Sequence, residues 1–424
     1  MNKIRRKTVT LSVTERCNLN CIYCYQKEGR NKRATPMTLD VATSVVQHHL
    51  SAEDNFEEVV FDLFGGEPLL AWPMIRDLVK WADERRAEWK KRYLFFIDTN
   101  GTLLTPEIKA WVAERRHHVI MGLSLDGSPE AHDLNRSNSY AQIKEHLSFF
   151  AETWPDQPIK MTISPQTVPM IFEGIVHIMR QGLLVSANVP MEDIWGSPAE
   201  KAQVVDEFRR QIELLVDLFG QHLELPPPRL IDLAIGVVNL VQYQDRPWCG
   251  AGRAMMAHTS KGDTFPCSRY FSMSFDQVLF DQSLSPEQSR CRFCNFRAAC
   301  QSCEANNWEA TGNPNDRTTF HCEFTKLQIW GTAQIWVKRA AARLESIPEY
   351  WSDTPERDSW VEKARTAQQE LSAATQILED FEKHGDLLDV GMQKGWRDAV
   401  WEPGTVSRPD YPLAEAAHLC LGQA

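Results

Sequence analysis

From Lys7 to about Gly220, short apolar runs alternate with longer stretches whose apolar residues recur every three or four positions. The short runs predict strands at Thr8–Val13, Glu58–Phe64, Tyr93–Asp98, Val119–Leu125, Ile159–Ile163 and Leu183–Val189. The longer ones predict helices at Leu39–Leu50, Met74–Lys90, Pro106–Arg115, Ala141–Glu152, Val168–Arg180 and Pro198–Phe219. Strands and helices repeating in this way imply parallel strands joined by crossover helices, in either an open doubly wound sheet or a partial barrel. Pro226, Pro227 and Pro228 cannot continue a helix and mark a boundary. Beyond it lies a cysteine-rich stretch, and from about Phe324 the spacing becomes helical again, in Thr325–Leu344 and Ser359–Glu382. The expected division is therefore an α/β unit over residues 1–225, a small cysteine-rich unit over 240–324 and a helical extension over 325–424.

Charge and cysteine usage narrow the function. Forty-six basic residues against fifty-seven acidic ones give a net charge of -11, which argues against a phosphate-tracking surface and against nucleic acid as a partner. The charged N-terminus is followed by no apolar run, and no window reaches the eighteen or so apolar residues of a membrane span, so a cytoplasmic location and no membrane partner are expected. Eleven cysteines in a large chain without a signal peptide point to metal or iron-sulfur ligation rather than disulfides.

Cys17, Cys21 and Cys24 crowd into eight residues directly after the first strand. Three thiols leave a tetrahedral metal site or a cubane cluster one ligand short, which is the opening a non-protein ligand needs. A zinc loop should supply a fourth Cys or His nearby, and this stretch has none. The C-x3-C-x2-C spacing, with an aromatic before the third cysteine, resembles the signature of the radical S-adenosylmethionine (SAM) enzymes. The resemblance implies that the three thiolates hold a 4Fe-4S cluster whose fourth iron binds SAM, and that an electron from the cluster cleaves SAM to a 5'-deoxyadenosyl radical. It also selects the partial (β/α)6 TIM-type barrel, with the active site at the C-terminal mouth of the strands.

Further segments fall where such a site expects them. Gly65, Gly66, Glu67 and Pro68 end the second strand; glycines let backbone approach a ligand closely, and the segment resembles the family's GGEP motif, in which the carboxylate meets the SAM ammonium. Thr99 and Asn100, then Ser124 and Asp126, resemble the TNG and SLDG segments that line the SAM carboxylate and ribose. Arg136 stands in an HD-x2-R pattern, but the loop after it is shorter than the family's, so a capping salt bridge competes with SAM contact as its role. Ser164 ends the fifth strand in a comparable position.

The second cysteine group reads Cys249, Cys267, then Cys291-x2-Cys294-x5-Cys300-x2-Cys303, and Cys322. It resembles the SPASM module, which carries auxiliary 4Fe-4S clusters, with two residues in place of three between the third and fourth central cysteines. The resemblance assigns Cys291, Cys294, Cys300 and Cys322 to a distal cluster and Cys249, Cys267 and Cys303 to a proximal one. That leaves the proximal cluster short of a fourth cysteine unless Cys420 fills it. Structural zinc is the competing reading, although five residues between the central pairs is short for a zinc ribbon.

The implied cofactors are SAM and three 4Fe-4S clusters, one SAM-binding and two auxiliary. The implied function is maturation of a ribosomally made precursor peptide, with a thioether crosslink preferred and a carbon-carbon crosslink as the variant. A sulfatase-type maturase forming formylglycine is the alternative, and an iron-sulfur or zinc binding protein without turnover is the alternative of another class. Expected partners are the peptide and a reductase, flavodoxin or ferredoxin. Because the first strand begins almost at once, leader recognition is expected in the C-terminal helices, on a separate protein, or nowhere.

Overall fold

The computed structural model describes residues 4–26, 35–233, 249–273, 289, 291, 294, 296–297, 299–347 and 357–383. In chain order the first part comprises β1 (Arg6–Thr14), α1 (Leu39–Ser51), β2 (Glu58–Gly65), α2 (Trp72–Glu84), β3 (Arg92–Thr99), α3 (Pro106–Glu114) and β4 (Val119–Leu123). Three short helices follow, α4 (Pro129–Asn135), α5 (Tyr140–Ile143) and α6 (Leu147–Thr153), and then β5 (Ile159–Thr162), α7 (Ile171–Met179), β6 (Val185–Asn188) and α8 (Pro198–Gln221). Strands β1 to β4 are parallel neighbours in sequence order, β5 pairs in parallel with β6, and a parallel bridge between Ser124 and Lys160 carries β4 over to β5. The result is a parallel α/β partial barrel, and all six expected strands form.

The cysteine-rich stretch begins by extending this sheet. Strand β7 (Met255–His258) pairs in parallel with β1, and β8 (Thr264–Phe265) pairs antiparallel with β7. Neither was expected from the sequence. Helices α9 (Glu304–Thr311), α10 (Cys322–Glu345) and α11 (Arg357–Lys383) complete the described chain.

Strand periodicity sorts the side chains into two environments. Val9, Leu11 and Val13 of β1, Val59, Phe61 and Leu63 of β2, and Phe95 and Ile97 of β3 are fully enclosed in one apolar core. Their alternates, among them Asp62, Phe96, Asp98 and Lys160, face the other way and are only half-buried. Local chemistry fixes the helix ends. Thr38, Thr105 and Ser128 accept from backbone N–H groups in the first turns of α1, α3 and α4. The expected helix over Val168–Arg180 starts instead as a 3₁₀ turn at Pro165–Met170, because Pro169 has no N–H to offer, and becomes α-helical at Ile171. The helix expected to run to Lys90 stops at Glu84, where the Trp89 indole folds back and donates to the Ala82 carbonyl at 3.0 Å. The helix expected over Ala141–Glu152 is split into α5, a 3₁₀ turn at Lys144–His146, and α6.

Two contacts set the strands that carry the site. At the lower end, Asp54 accepts from Lys7 at 2.6 Å and from Lys91 at 2.5 Å, tying the starts of β1 and β3 to the loop before β2. At the upper end, Gly66 N–H donates to Thr14 O at 2.9 Å and Glu67 N–H to Arg16 O at 2.8 Å, so the cysteine loop is hydrogen-bonded to the end of β2. A Cβ on Gly65, whose φ is +153°, would lie 1.9 Å from Thr14 O, and one on Gly66 would lie 2.2 Å from Arg16 O. The backbone that these glycines admit is therefore the cysteine loop's own, not directly a ligand's.

Gly66→Ala should lower thermal stability and the iron retained after reconstitution, because the clash is with backbone that cannot rotate away; unchanged melting and iron content would refute the docking role. Asp54→Asn should cost about 1–3 kcal/mol, since the amide removes the charge and one acceptor from two enclosed ammonium groups. Burial alone would raise the Asp54 carboxyl, but the Lys7 and Lys91 bonds outweigh it and hold it below the usual range. The contribution of Asp54 is therefore full above the unfolded carboxyl range near pH ~4 and is lost as pH falls through the depressed folded value. Urea unfolding should accordingly show the wild-type advantage at neutral pH and its loss in acid.

Candidate functional site

Above the glycines, Glu67 is 1% exposed and its carboxylate is wired into the barrel mouth. Oε1 accepts from Thr99 Oγ1 at 2.8 Å and from Leu69 N–H at 3.1 Å, while Oε2 accepts from Asn100 N–H at 2.8 Å. A carboxylate has about four acceptor positions, so one remains, on Oε2. Burial raises the Glu67 carboxyl, and those three bonds with the Arg136 charge oppose the rise. Pro68, buried, opens the 3₁₀ turn that Glu67 caps. Asn100 Nδ2 donates to Asn18 Oδ1 at 2.9 Å, which links the third strand to the cysteine loop.

Asp126 is the hub on the other side of the loop. It is fully enclosed and accepts from Tyr23 Oη at 2.6 Å, Arg136 Nε at 2.9 Å, Asn135 Nδ2 at 3.1 Å and Thr162 N–H at 2.9 Å. Three of these donors meet Oδ2 and Thr162 N–H meets Oδ1, so Asp126 holds the loop and keeps one acceptor position on Oδ1. Arg136, whose role the sequence left open, forms the ion pair with Asp126, lies over the Tyr23 ring at 5.5 Å and reaches Cys21 Sγ at 4.0 Å. The short loop after it is closed by Ser137 and Asn138 with φ of +58° and +55°, and Ser137 Oγ accepts from Asn20 N–H at 3.0 Å. Ser164 is enclosed and donates to Asn135 Oδ1 at 2.7 Å, supporting the same network from β5. Ser124, half-buried, lies at the mouth where β4 meets β5.

The ten described cysteines fall into three groups whose charges act on one another. Burial raises the Cys21 thiol and Arg136 lowers it, with Cys24 and Cys17 adding like charge. Burial pushes Cys267 up to about 12, with Cys303 and Cys249 as its thiol neighbours, and Arg269 opposes the rise at Cys303. Burial pushes Cys300 to about 11 and Cys322 to about 12; Cys294 acts on both, Cys291 on Cys300, and Arg317 and Lys326 oppose the two rises respectively. Each group thus pairs enclosed thiols with a cation, a donor set suited to thiolate ligation of an anionic cluster. Among the described residues, no three His, Cys, Asp or Glu side chains converge on a point suited to a single metal ion. Cys420 lies outside the described residues.

The first and second groups meet through Tyr25. Arg269 stacks over the Tyr25 ring at 4.5 Å, pairs with Glu192, and donates to Asn306 Oδ1 at 3.4 Å. Sequence reasoning missed this contact and the Tyr23, Asn135 and Asp126 network, since neither follows from spacing along the chain. It also missed Asp62, Asp98 and Lys160 inside the barrel, although a charged residue at an inward position of an apolar strand was visible in each case.

Residues 11–164 match the family model of the radical SAM superfamily. The chain is 29% identical over 147 residues to the radical SAM cyclopropyl synthase TigE of Paramaledivibacter caminithermalis, covering 31% of this chain and 30% of the relative. It is 30% identical over 131 residues to the cysteine-type anaerobic sulfatase-maturating enzyme of Clostridium perfringens, covering 29% of this chain and 33% of the relative. These matches span about a third of the length of either relative. The structure of native anSMEcpe with bound AdoMet and Cp18Cys peptide superposes with a TM-score of 0.63 at 17% identity, over 79% of this chain and 99% of that one, which is a likeness of fold. The barrel with the cysteine loop at its mouth, residues 11–164, is thus a radical SAM domain by its match to that family model.

Proposed function

We propose that the protein is a radical SAM enzyme that modifies a peptide. The observation that carries the reading is the coupled Cys17, Cys21 and Cys24 group, docked by backbone hydrogen bonds to the strand end that bears Glu67. A 4Fe-4S cluster on those thiolates would supply the electron that cleaves SAM, and the resulting 5'-deoxyadenosyl radical would take a hydrogen atom from the peptide. The chain's own residues do the positioning. Glu67 offers its remaining Oε2 acceptor to the SAM ammonium, Thr99 and Asn100 hold that carboxylate in place, and Ser124 at the mouth is placed for SAM contact. Arg136 offsets thiolate charge at Cys21.

The two further thiol groups support auxiliary clusters on Cys291, Cys294, Cys300 and Cys322 and on Cys249, Cys267 and Cys303. A three-cysteine proximal site leaves an iron open to a substrate thiolate, and this favours thioether formation in a ribosomally made precursor peptide. An external flavodoxin, ferredoxin or reductase supplies electrons, and a leader is read by the C-terminal helices or by a separate protein. Formylglycine formation is the second reading, favoured by the likeness to a cysteine-type anaerobic sulfatase-maturating enzyme. Product mass separates the two: a thioether keeps the sulfur and loses hydrogen alone, whereas formylglycine made from cysteine loses the sulfur.

Replacing Cys17, Cys21 and Cys24 together by Ala should abolish 5'-deoxyadenosine formation under anaerobic reducing conditions while the auxiliary iron stays. SAM cleavage persisting in that variant would reject these cysteines as the ligands of the SAM-cleaving cluster. Glu67→Gln turns one acceptor oxygen into a donor facing existing donors, so SAM affinity should fall about tenfold or more at unchanged iron content. Calorimetric titration with SAM checks this, and an unaltered dissociation constant would return Glu67 to a purely structural role.

A further inference from the structure

The half-buried inner face of the barrel carries charge that the mouth does not use. Asp62 on β2, Asp98 on β3 and Lys160 on β5 all point inward by strand alternation, and the three are electrostatically linked. Lys160 forms an ion pair with Asp98, and its side chain is 45% exposed to the lumen. Asp62 Oδ2 accepts from Thr10 Oγ1 at 3.3 Å. Gly122 on β4 makes room for these side chains, since a Cβ there would lie 2.5 Å from Asp98 Oδ1 and 2.9 Å from the Phe96 ring. Asp98 directly precedes Thr99, whose hydroxyl holds Glu67, so the upper end of this charged layer adjoins the mouth.

Two imbalances remain in this layer. The enclosed Oδ1 atoms of Asp62 and Asp98 have no hydrogen-bond partner among the described residues, while the one amine present is already paired. Two carboxylates against one ammonium also leave the layer short of one positive charge. What is missing is a donor that carries positive charge. We propose that the barrel lumen is a binding site for a cationic side chain, an alkylammonium or guanidinium group of the peptide, reached through the mouth. This inference rests on the reading of the mouth as a peptide-modifying site. Burial first, and then the Asp98 charge, push the Asp62 carboxyl up to about 7, against the pull of Lys160 and Thr10. A cation bound beside it would favour the ionised form. The chain's net charge of -11 draws cations in the same sense.

The test uses the reconstituted full-length protein with SAM and two defined probes, Nα-acetyl-lysine methylamide and its uncharged counterpart Nα-acetyl-norleucine methylamide. Binding is followed by saturation-transfer NMR, and the Asp62 carboxyl band by difference infrared spectroscopy. The lysine probe should bind about tenfold more tightly than the norleucine probe and move the midpoint of the band to lower pH. Asp62→Asn should remove both the preference and the titrating band. Lys160→Met frees Asp98 and should strengthen binding of the lysine probe several-fold, a gain that a misfolded variant cannot mimic. Equal binding of the two probes, or a preference that survives Asp62→Asn, means that the lumen holds only water and overturns the site. Formation of 5'-deoxyadenosine by the same preparation reads the enzymatic proposal separately. Lost preference with intact SAM cleavage rejects the lumen site alone, whereas preserved preference without SAM cleavage supports the lumen site and rejects the enzyme reading alone.

Discussion

The arrangement of the mouth depends on one buried carboxylate. Asp126 ties together Tyr23 of the cysteine loop, Asn135 and Arg136 at the end of α4, and the backbone of β5 at Thr162. A carboxylate without solvent is costly unless paired and hydrogen-bonded, and Asp126 pairs with Arg136 and accepts four hydrogen bonds. The cost is offset only when the loop, the helix end and the fifth strand are all in register. That requirement couples the position of Cys21 to strands far away in the sequence. Removing one partner would leave an uncompensated buried charge, so the loop cannot move independently of the barrel.

A related balance governs the thiols. Burial resists thiolate formation in all three cysteine groups, and each has a cation set against that resistance: Arg136 at Cys21, Arg269 at Cys303, Arg317 at Cys300 with Lys326 at Cys322. Arg269 also bridges the groups, since its guanidinium lies over Tyr25, the residue after Cys24, and near Cys303. Packing that brings the cysteine-rich unit against the barrel therefore also brings charge compensation. The added strand β7, paired with β1, gives the same attachment through the backbone.

The six strands were legible in the sequence because they keep their period, and each appears where an apolar run stands, whereas the choice of a barrel over an open sheet came from the family resemblance. What the sequence obscured is instructive. Met255–His258 offers four residues with no alternation, and it becomes a strand because the open edge of β1 has unpaired backbone groups to satisfy. The early stop of α2 comes from a tryptophan five residues past its end, and the late start of α7 from a single proline. At the site, the residue types were legible and their roles were only partly so. Gly65, Gly66, Asp126 and Arg136 read as ligand contacts by resemblance, yet the structure spends them first on positioning the cysteine loop.

That division of labour has a physical reason. A ligand site at the end of a barrel must place several strand ends and a long loop relative to one another before any ligand arrives, and short-range hydrogen bonds among small and charged side chains do this with least freedom. The Glu67 carboxylate is held in this way by Thr99 and Asn100. Among the inward and mouth positions, unused hydrogen-bonding capacity stays on Glu67 Oε2 and on the partnerless Oδ1 atoms of Asp62 and Asp98. In a fold where most buried polar groups are satisfied, each such unmet atom calls for a physical account, and at these positions a ligand donor would supply one.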